Sequence, residues 1–324
     1  MNLTTRALAG KRIGIFGKGG SGKSTVAVLL AKGLSAHGYA VCLLDADSTN
    51  IGLYRALGLA QSPAPLLDYF GGMIFSGGLV TCPVDDPLPL ANADVSATSL
   101  PDAYLGHSPE AILLLTAGKI GGLGPGAGCD GPIAKIARDL RVHGNGLEPV
   151  TLLDFKAGFE DLARGAVTSL DWAVVVVDPT VAAVEMAGHI QALVREVQAG
   201  GLPATQHLED PVLVEAANRL YRQAPIKGVY VVMNRVQSAR MESYLRQRLH
   251  EHHVEAQAVI PVDLAIARAW LGGEVLKLGR AKRSVEKIIR DLEHAEVAAE
   301  KGLPHTSPEV NAEDALPATK AKTR

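Results

Sequence analysis

The sequence predicts an α/β fold: a doubly wound, mostly parallel sheet covered by helices on both faces. Three observations carry that expectation. Apolar runs at 12–16, 40–44, 111–116, 150–153, 172–177, 229–233 and 256–260 recur along the chain, and several are unbroken Val/Leu/Ile stretches, the pattern of strands buried on both faces. Helical patterning fills most of the gaps between them, which calls for crossovers between parallel strands. Aromatic residues are only 4% of a chain that is 47% hydrophobic, so its packing rests on Val, Leu, Ile and Ala.

Taken in order, the runs leave three departures from the βα rhythm. Residues 61–109 are rich in Pro, Gly, Ser and Asp and read as a long, partly irregular insertion. Residues 200–225 form a second insertion, in which Val212, Leu213, Ala216, Ala217, Leu220 and Tyr221 recur at helical spacing. Asp210 is placed to cap that helix and Pro211 to begin it. The last stretch, 301–324, is polar and poor in apolar residues, and it is expected to be disordered. The remainder, 1–300, is expected to form one domain.

Composition narrows the function classes. The 32 basic and 34 acidic residues give a formal net charge of −2, so bulk charge gives no reason to expect a nucleic acid or a membrane as partner. Cys42, Cys82 and Cys129 are too widely spaced for a disulfide framework. The first ten residues are polar, and no apolar run approaches the ~20 residues of a membrane span. A cytoplasmic location is the expectation.

The strongest chemical signal follows the first apolar run. Gly17-Lys18-Gly19-Gly20-Ser21-Gly22-Lys23-Ser24-Thr25 fits G-x-x-x-x-G-K-S/T between a predicted strand and a predicted helix. Glycines let backbone N–H groups turn inward around phosphate oxygens, and the helix start adds the positive end of its dipole. Lys23 is placed to neutralise the β- and γ-phosphates and Ser24 to ligate Mg²⁺. ATP with Mg²⁺ is therefore the expected ligand pair.

Two strand ends add carboxylates. The second run leads into Asp45-Ala46-Asp47-Ser48-Thr49-Asn50, and acidic groups at the carboxyl end of a parallel strand lie over the phosphate site. Asp154 ends the run at 150–153, where it is placed to hold Mg²⁺ through water. The segment 155–165 would then respond to the γ-phosphate.

With Lys18 included, the loop resembles the deviant Walker A (SIMIBI) P-loop of the MinD, ParA, nitrogenase iron protein and CooC group. The resemblance spans roughly 12–279, apart from the two insertions. It implies an ATP-hydrolysing homodimer in which Lys18 reaches the partner's nucleotide and stabilises transition-state charge. It also implies that Asp47 orients the attacking water, with Asp45 nearer the metal. Asn234 and Arg235 match the place where the group contacts adenine. Ile260-Pro261-Val262-Asp263 is similar to the turn that closes over the same base.

Within that group, Asp154-Phe155-Lys156-Ala157-Gly158-Phe159-Glu160-Asp161-Leu162-Ala163-Arg164-Gly165 is similar to the Asp-Met-Glu-Ala-Gly-Ile-Glu-His-Leu-x-Arg-Gly segment of CooC-type nickel-insertion ATPases. Lys156 stands where those have Glu, and Asp161 where they have His. Gly118-Lys119-Ile120, the glycines after it and Cys129 also look CooC-like. This implies a client metalloprotein and raises a transition metal at Cys129 across a dimer. Cys129-Asp130-Gly131-Pro132 lacks the second thiol of the Cys-x-Cys-Pro pattern. Two thiolates per dimer are a poor set for a soft metal, and a reduced structural thiol is the plainer expectation.

Two other classes remain open from the resemblance. One is a MinD/ParA-like organiser acting on a surface, the other a reductase component like the iron protein. Residues 284–295 carry Val285, Ile288, Ile289 and Leu292 on one helical face. That narrow face, free of aromatics, is expected to pack on the domain rather than on a membrane.

Overall fold

The computed structural model describes residues 6–119, 129–144 and 146–302. Expectations for Ile120 and the glycines after it, and for the tail from residue 303 on, lie outside the described residues. Among the described residues ten strands form: β1 (Arg12–Phe16), β2 (Val41–Ala46), β3 (Asp94–Ser96), β4 (Gly106–His107), β5 (Ile112–Thr116), β6 (Arg141–His143), β7 (Val150–Phe155), β8 (Trp172–Val177), β9 (Gly228–Val236) and β10 (Ala258–Pro261). The main sheet has the order β10-β9-β8-β1-β7-β2-β5-β4, and β3 pairs with β6 apart from it. Seven strands of the main sheet run parallel, and these are the seven apolar runs of the sequence. Strand β4 closes one edge antiparallel to β5.

The helices are α1 (Lys23–Ala36), α2 (Leu53–Ala56), α3 (Leu66–Tyr69), α4 (Gly131–Asp139), α5 (Glu160–Ala163), α6 (Val181–Gln198), α7 (Pro211–Arg222), α8 (Ala239–Glu251), α9 (Leu264–Gly272) and α10 (Lys282–Glu300). Side chains alternate across the sheet, as the two-residue period requires. Ile13, Ile15, Val174 and Val176 join α1 and α10 in one core. Phe16, Ala173, Val175 and Val177 join α4, α6 and α8 in the other. The chain winds from β1 outward to β5, returns through β7, and then builds β8 to β10 on the other side of β1. The reversal puts a ligand crevice at the carboxyl end of β1.

Helix α10 docks on α1 at a close approach. A Cβ on Gly33 would stand 2.4 Å from Val285 Cγ1, so only glycine admits α10 there. Val285, Ile288, Ile289 and Leu292 are at most 2% exposed, so the apolar face of α10 is occupied by the domain. Its far end is fixed by Glu296, which pairs with Lys11 at 2.6 Å and Lys227 at 2.5 Å and accepts the Trp172 indole N–H at 2.9 Å.

Both irregular stretches pack onto the body. In the first, Leu66, Leu67, Met73 and Val80 are buried. In the second, Asp210 accepts from Val212 N at 2.8 Å with Pro211 as the first residue of α7. Tyr221 then donates its hydroxyl to the Ala163 carbonyl at 3.1 Å. Between α7, α6, the 83–87 loop and residues 163–165 lies a cavity of about 410 Å³, separate from the crevice over β1.

Candidate functional site

Strand β1 delivers the chain into the loop Gly17–Gly22, and α1 begins at Lys23. Gly17, Gly20 and Gly22 have φ of 145°, 82° and 95°, a region L-residues rarely adopt. At two of them space is also closed. A Cβ on Gly17 would meet the Val176 carbonyl at 2.4 Å, and one on Gly22 would meet Asn234 Nδ2 at 2.3 Å. The glycine pattern of the motif is thus required by backbone shape and by the neighbouring strands β8 and β9.

Strand β9 braces the loop. Asn234, 3% exposed, donates from Nδ2 to the Ser21 carbonyl at 2.7 Å. Arg235 donates from Nη1 to the Gly20 carbonyl at 2.6 Å. Arg235 sits at φ 59°, where the register between β9 and β10 shifts, and such a bulge re-aims a side chain. The adenine contact expected of Asn234 therefore falls on a residue whose amide N–H already holds the phosphate loop. On the other side, Gly158 N donates to the Gly17 carbonyl at 3.2 Å, linking the loop to 155–165.

Lys23 is buried at 7% exposure. Burial lowers its pKa, and the charges of Asp154 and Asp47 pull the other way. Asp154 comes from the pairing of β7 with β1, where Ile15 faces Asp154. The stacked rings of Phe16 and Phe155, 4.7 Å apart, hold the two strand ends together. Asp154 is fully buried, and burial followed by the charge of Asp45 pushes its carboxyl up to about 7. Its Oδ1 has no hydrogen-bond partner, while Asn50 Nδ2 reaches Oδ2 at 3.4 Å and Ser24 Oγ at 3.1 Å.

The acidic stretch at the end of β2 holds its two carboxylates in different ways. Asp45, expected near the metal, has Oδ2 paired with Lys119 Nζ at 2.8 Å and Oδ1 accepting from Asp47 N at 3.2 Å. Burial still pushes it up to about 6, against the opposing pull of Lys119. Lys119 also donates to the Asp47 carbonyl at 2.6 Å. Asp45 is thereby an anchor of the turn, with both carboxylate oxygens engaged by neighbouring groups. Asp47 Oδ1 accepts from Thr49 N at 2.9 Å and Thr49 Oγ1 at 2.7 Å, which holds the turn over the loop.

A cleft of about 450 Å³ opens there, lined by Gly19, Gly20, Gly22, Lys23, Ser24, Thr25, Asp47, Asn50, Arg235 and Trp270 among others. Lys18 stands at its edge, with Nζ 3.5 Å from the Gly19 carbonyl. Pro261, Val262 and Asp263 do not line it. Pro261 ends β10 paired with Val236, and Asp263 caps α9 by accepting from Ala265 N at 2.9 Å, while its other oxygen accepts from Arg280 N at 3.3 Å. Helix α9 instead supplies Trp270, whose indole N–H donates to Thr25 Oγ1 at 2.8 Å and whose ring lies against Gly52. Neither Trp270 nor Asn50 carries a sequence signal of its own, because each reaches the site through tertiary packing.

Cys129 lies outside this cleft, ahead of α4. Its Sγ accepts from Gly131 N at 3.2 Å. The fold also brings Cys82 to this turn: a Cβ on Gly131 would lie 2.9 Å from Cys82 Sγ, a proximity hidden by 47 residues of sequence separation. Among the described residues no three His, Cys, Asp or Glu side chains converge as a metal site.

A strand–loop–helix phosphate cradle on this sheet, with a buried lysine and carboxylate at its base, defines a P-loop ATPase. The chain belongs to the CobQ/CobB/MinD/ParA nucleotide binding domain family, matched over residues 15–276. It is 32% identical over 184 residues to an uncharacterized ATP-binding protein of Methanocaldococcus jannaschii, covering 56% of this chain and 72% of that one. It is 28% identical over 200 residues to the carbon monoxide dehydrogenase accessory protein CooC of Rhodospirillum rubrum, covering 57% and 70%. Among solved structures, the cell division ATPase MinD of Pyrococcus furiosus superposes with a TM-score of 0.52 at 18% identity, covering 88% of this chain and 99% of that one. At that identity the likeness is one of fold. No helix among the described residues is long and apolar enough to cross a membrane.

Proposed function

We propose that this ATPase is a cytoplasmic, homodimeric switch that serves the maturation of a metalloenzyme. The observation that carries the reading is the kinship with CooC, a carbon monoxide dehydrogenase accessory protein. The CooC-like residues 154–165 join the nucleotide cleft to the Cys129 turn, which supports it.

The chain's own groups fit the chemistry. The partnerless, fully buried Asp154 Oδ1 beside Ser24 is the donor set expected for a hydrated Mg²⁺. Bound there with ATP, Mg²⁺ supplies charge neutralisation between the phosphates. Lys23 and the loop amides hold the phosphates, Asp47 orients water, and Lys18 reaches across to the partner's γ-phosphate. Phosphoryl transfer to water asks for little beyond such positioning. A transition metal is a different matter. With the thiols of Cys129 and Cys82 at this turn joined by no third converging donor among the described residues, Cys129 carries no step here.

An organiser that binds membranes through the apolar face of α10 is disfavoured by the burial of Val285, Ile288, Ile289 and Leu292. The maturation reading is tested by capture with the Asp47→Ala variant held in the Mg·ATP state. The expected result is enrichment of a metalloprotein with ATP and not with ADP. Capture of no metalloprotein in either state removes the reading.

A further inference from the structure

We infer that Asp130 is the positioning residue through which the nucleotide site governs the Cys129 turn. The inference rests on the switch reading above and names the route it takes. Asp130 follows Cys129 and stands at the N-cap of α4. Its Oδ1 accepts from Ser48 Oγ at 2.5 Å, and its Oδ2 accepts from Lys156 Nζ. Ser48 is the residue after Asp47, and Lys156 is two residues beyond Asp154. A single carboxylate is thus held by both segments that flank the γ-phosphate position, one from the end of β2 and one from the end of β7.

The turn has little slack to absorb a movement of Asp130. Cys129 Sγ folds back over the Asp130 peptide to accept from Gly131 N. Cys82 presses on the far side of Gly131, where even a Cβ would stand 2.8 Å from Cys82 Cβ. Close-packed groups of this kind shift between discrete arrangements rather than deform smoothly. A displacement of either Ser48 or Lys156 therefore reaches Cys129 Sγ through one side chain.

The pairing also has the exposure a switch contact needs. The Lys156 side chain is 39% exposed and that of Asp130 is 20% exposed. A pair so open to water contributes little to stability and is readily broken and remade. Ser48, by contrast, is buried at 4%, so the first segment cannot move without disturbing Asp130. Lys156 is where this chain departs from the Asp-Met-Glu pattern. Its positive charge is what matches Asp130, since a glutamate there would face a carboxylate of like charge.

Peptide-resolved mass spectrometry of N-ethylmaleimide labelling at Cys129 tests the route on the full chain. In the unmodified protein the labelling rate should differ at least threefold between Mg·ADP and Mg·AMPPNP. In Asp130→Asn and in Lys156→Met the two rates should come within about 1.5-fold of each other, while Lys156→Arg keeps the difference. Affinity for a fluorescent ADP analogue should stay within about twofold in all three, which shows that they fold and bind. If the unmodified protein labels equally in both states, the switch reading itself falls. If it responds and Asp130→Asn responds equally, the Asp130 route alone is overturned.

Discussion

Asn234 donates its side-chain amide to the Ser21 carbonyl across 2.7 Å, so the strand that follows α7 holds the crown of the phosphate loop. The bond is buried, and a Cβ on Gly22 would stand 2.3 Å from Asn234 Nδ2. Replacing Asn234 with Ala leaves a buried carbonyl unpaired, a loss of about 1–3 kcal/mol. Asn234→Ala should weaken ATP binding about tenfold by letting the loop relax. Isothermal titration calorimetry would register it, and unchanged affinity would show that the brace is dispensable.

Gly17→Ala tests the same loop from the other side. The new methyl would stand 2.4 Å from the Val176 carbonyl, at a φ that L-residues avoid. Neither the backbone of β8 nor that of β1 can yield. The variant should lose detectable nucleotide binding, and its thermal midpoint should no longer rise on addition of Mg·ATP. A normal rise would mean that the loop adopts a different path in solution.

The Glu296 cluster makes a prediction about acid stability. Burial works against ionisation of Glu296, but hydrogen bonds from Lys11, Lys227 and Trp172 outweigh it and hold the carboxyl below its ordinary 4.5. A depressed carboxyl contributes stability that is present above 4.5 and lost as pH falls through the lower folded value. Glu296→Gln should destabilise the protein by about 2–3 kcal/mol at pH 7, less than a fully buried pair because Lys11 and Lys227 are 21% and 22% exposed. The difference between the two proteins should shrink as pH falls below 4.5 and vanish below the lower folded value. Trp172 fluorescence during denaturant unfolding, in a Trp270→Phe background, reads it directly.

Lys18 has a different signature. Among the described residues its Nζ meets only the Gly19 carbonyl, at 3.5 Å, which leaves the amine available to another subunit. Lys18→Ala should bind ATP within about threefold of normal but hydrolyse it at least about 100-fold more slowly, as for other charge donors acting in trans. Mixing it with Asp47→Ala should restore roughly a quarter of the activity, because half the dimers are mixed and each has one complete site. No recovery on mixing would place Lys18 in its own subunit's site.

Much of this was legible in the sequence because burial on both faces writes strands as unbroken apolar runs. The seven parallel strands announced themselves that way. Strands β3, β4 and β6 are two or three residues long, too short for any period to show. The phosphate loop was readable because its glycines answer a local backbone demand at Gly17, Gly20 and Gly22. The partners of the loop were not. Lys119 on Asp45, Trp270 on Thr25 and Asn50 between Ser24 and Asp154 are contacts across 26 to 245 residues of chain, and no spacing rule encodes them. The same holds for Asn234 and Arg235, whose positions were singled out but whose role as braces depends on the bulge between β9 and β10. Cys82 and Cys129 looked unrelated in sequence and meet at one turn because both flank Gly131.

The proposed switch requires that ATP join two copies of this chain. Sedimentation velocity on Asp47→Ala, in which loss of the water-orienting carboxylate should block hydrolysis, measures that directly. A species of twice the chain mass is expected with Mg·ATP and a single chain with Mg·ADP. The same mass in both would contradict it.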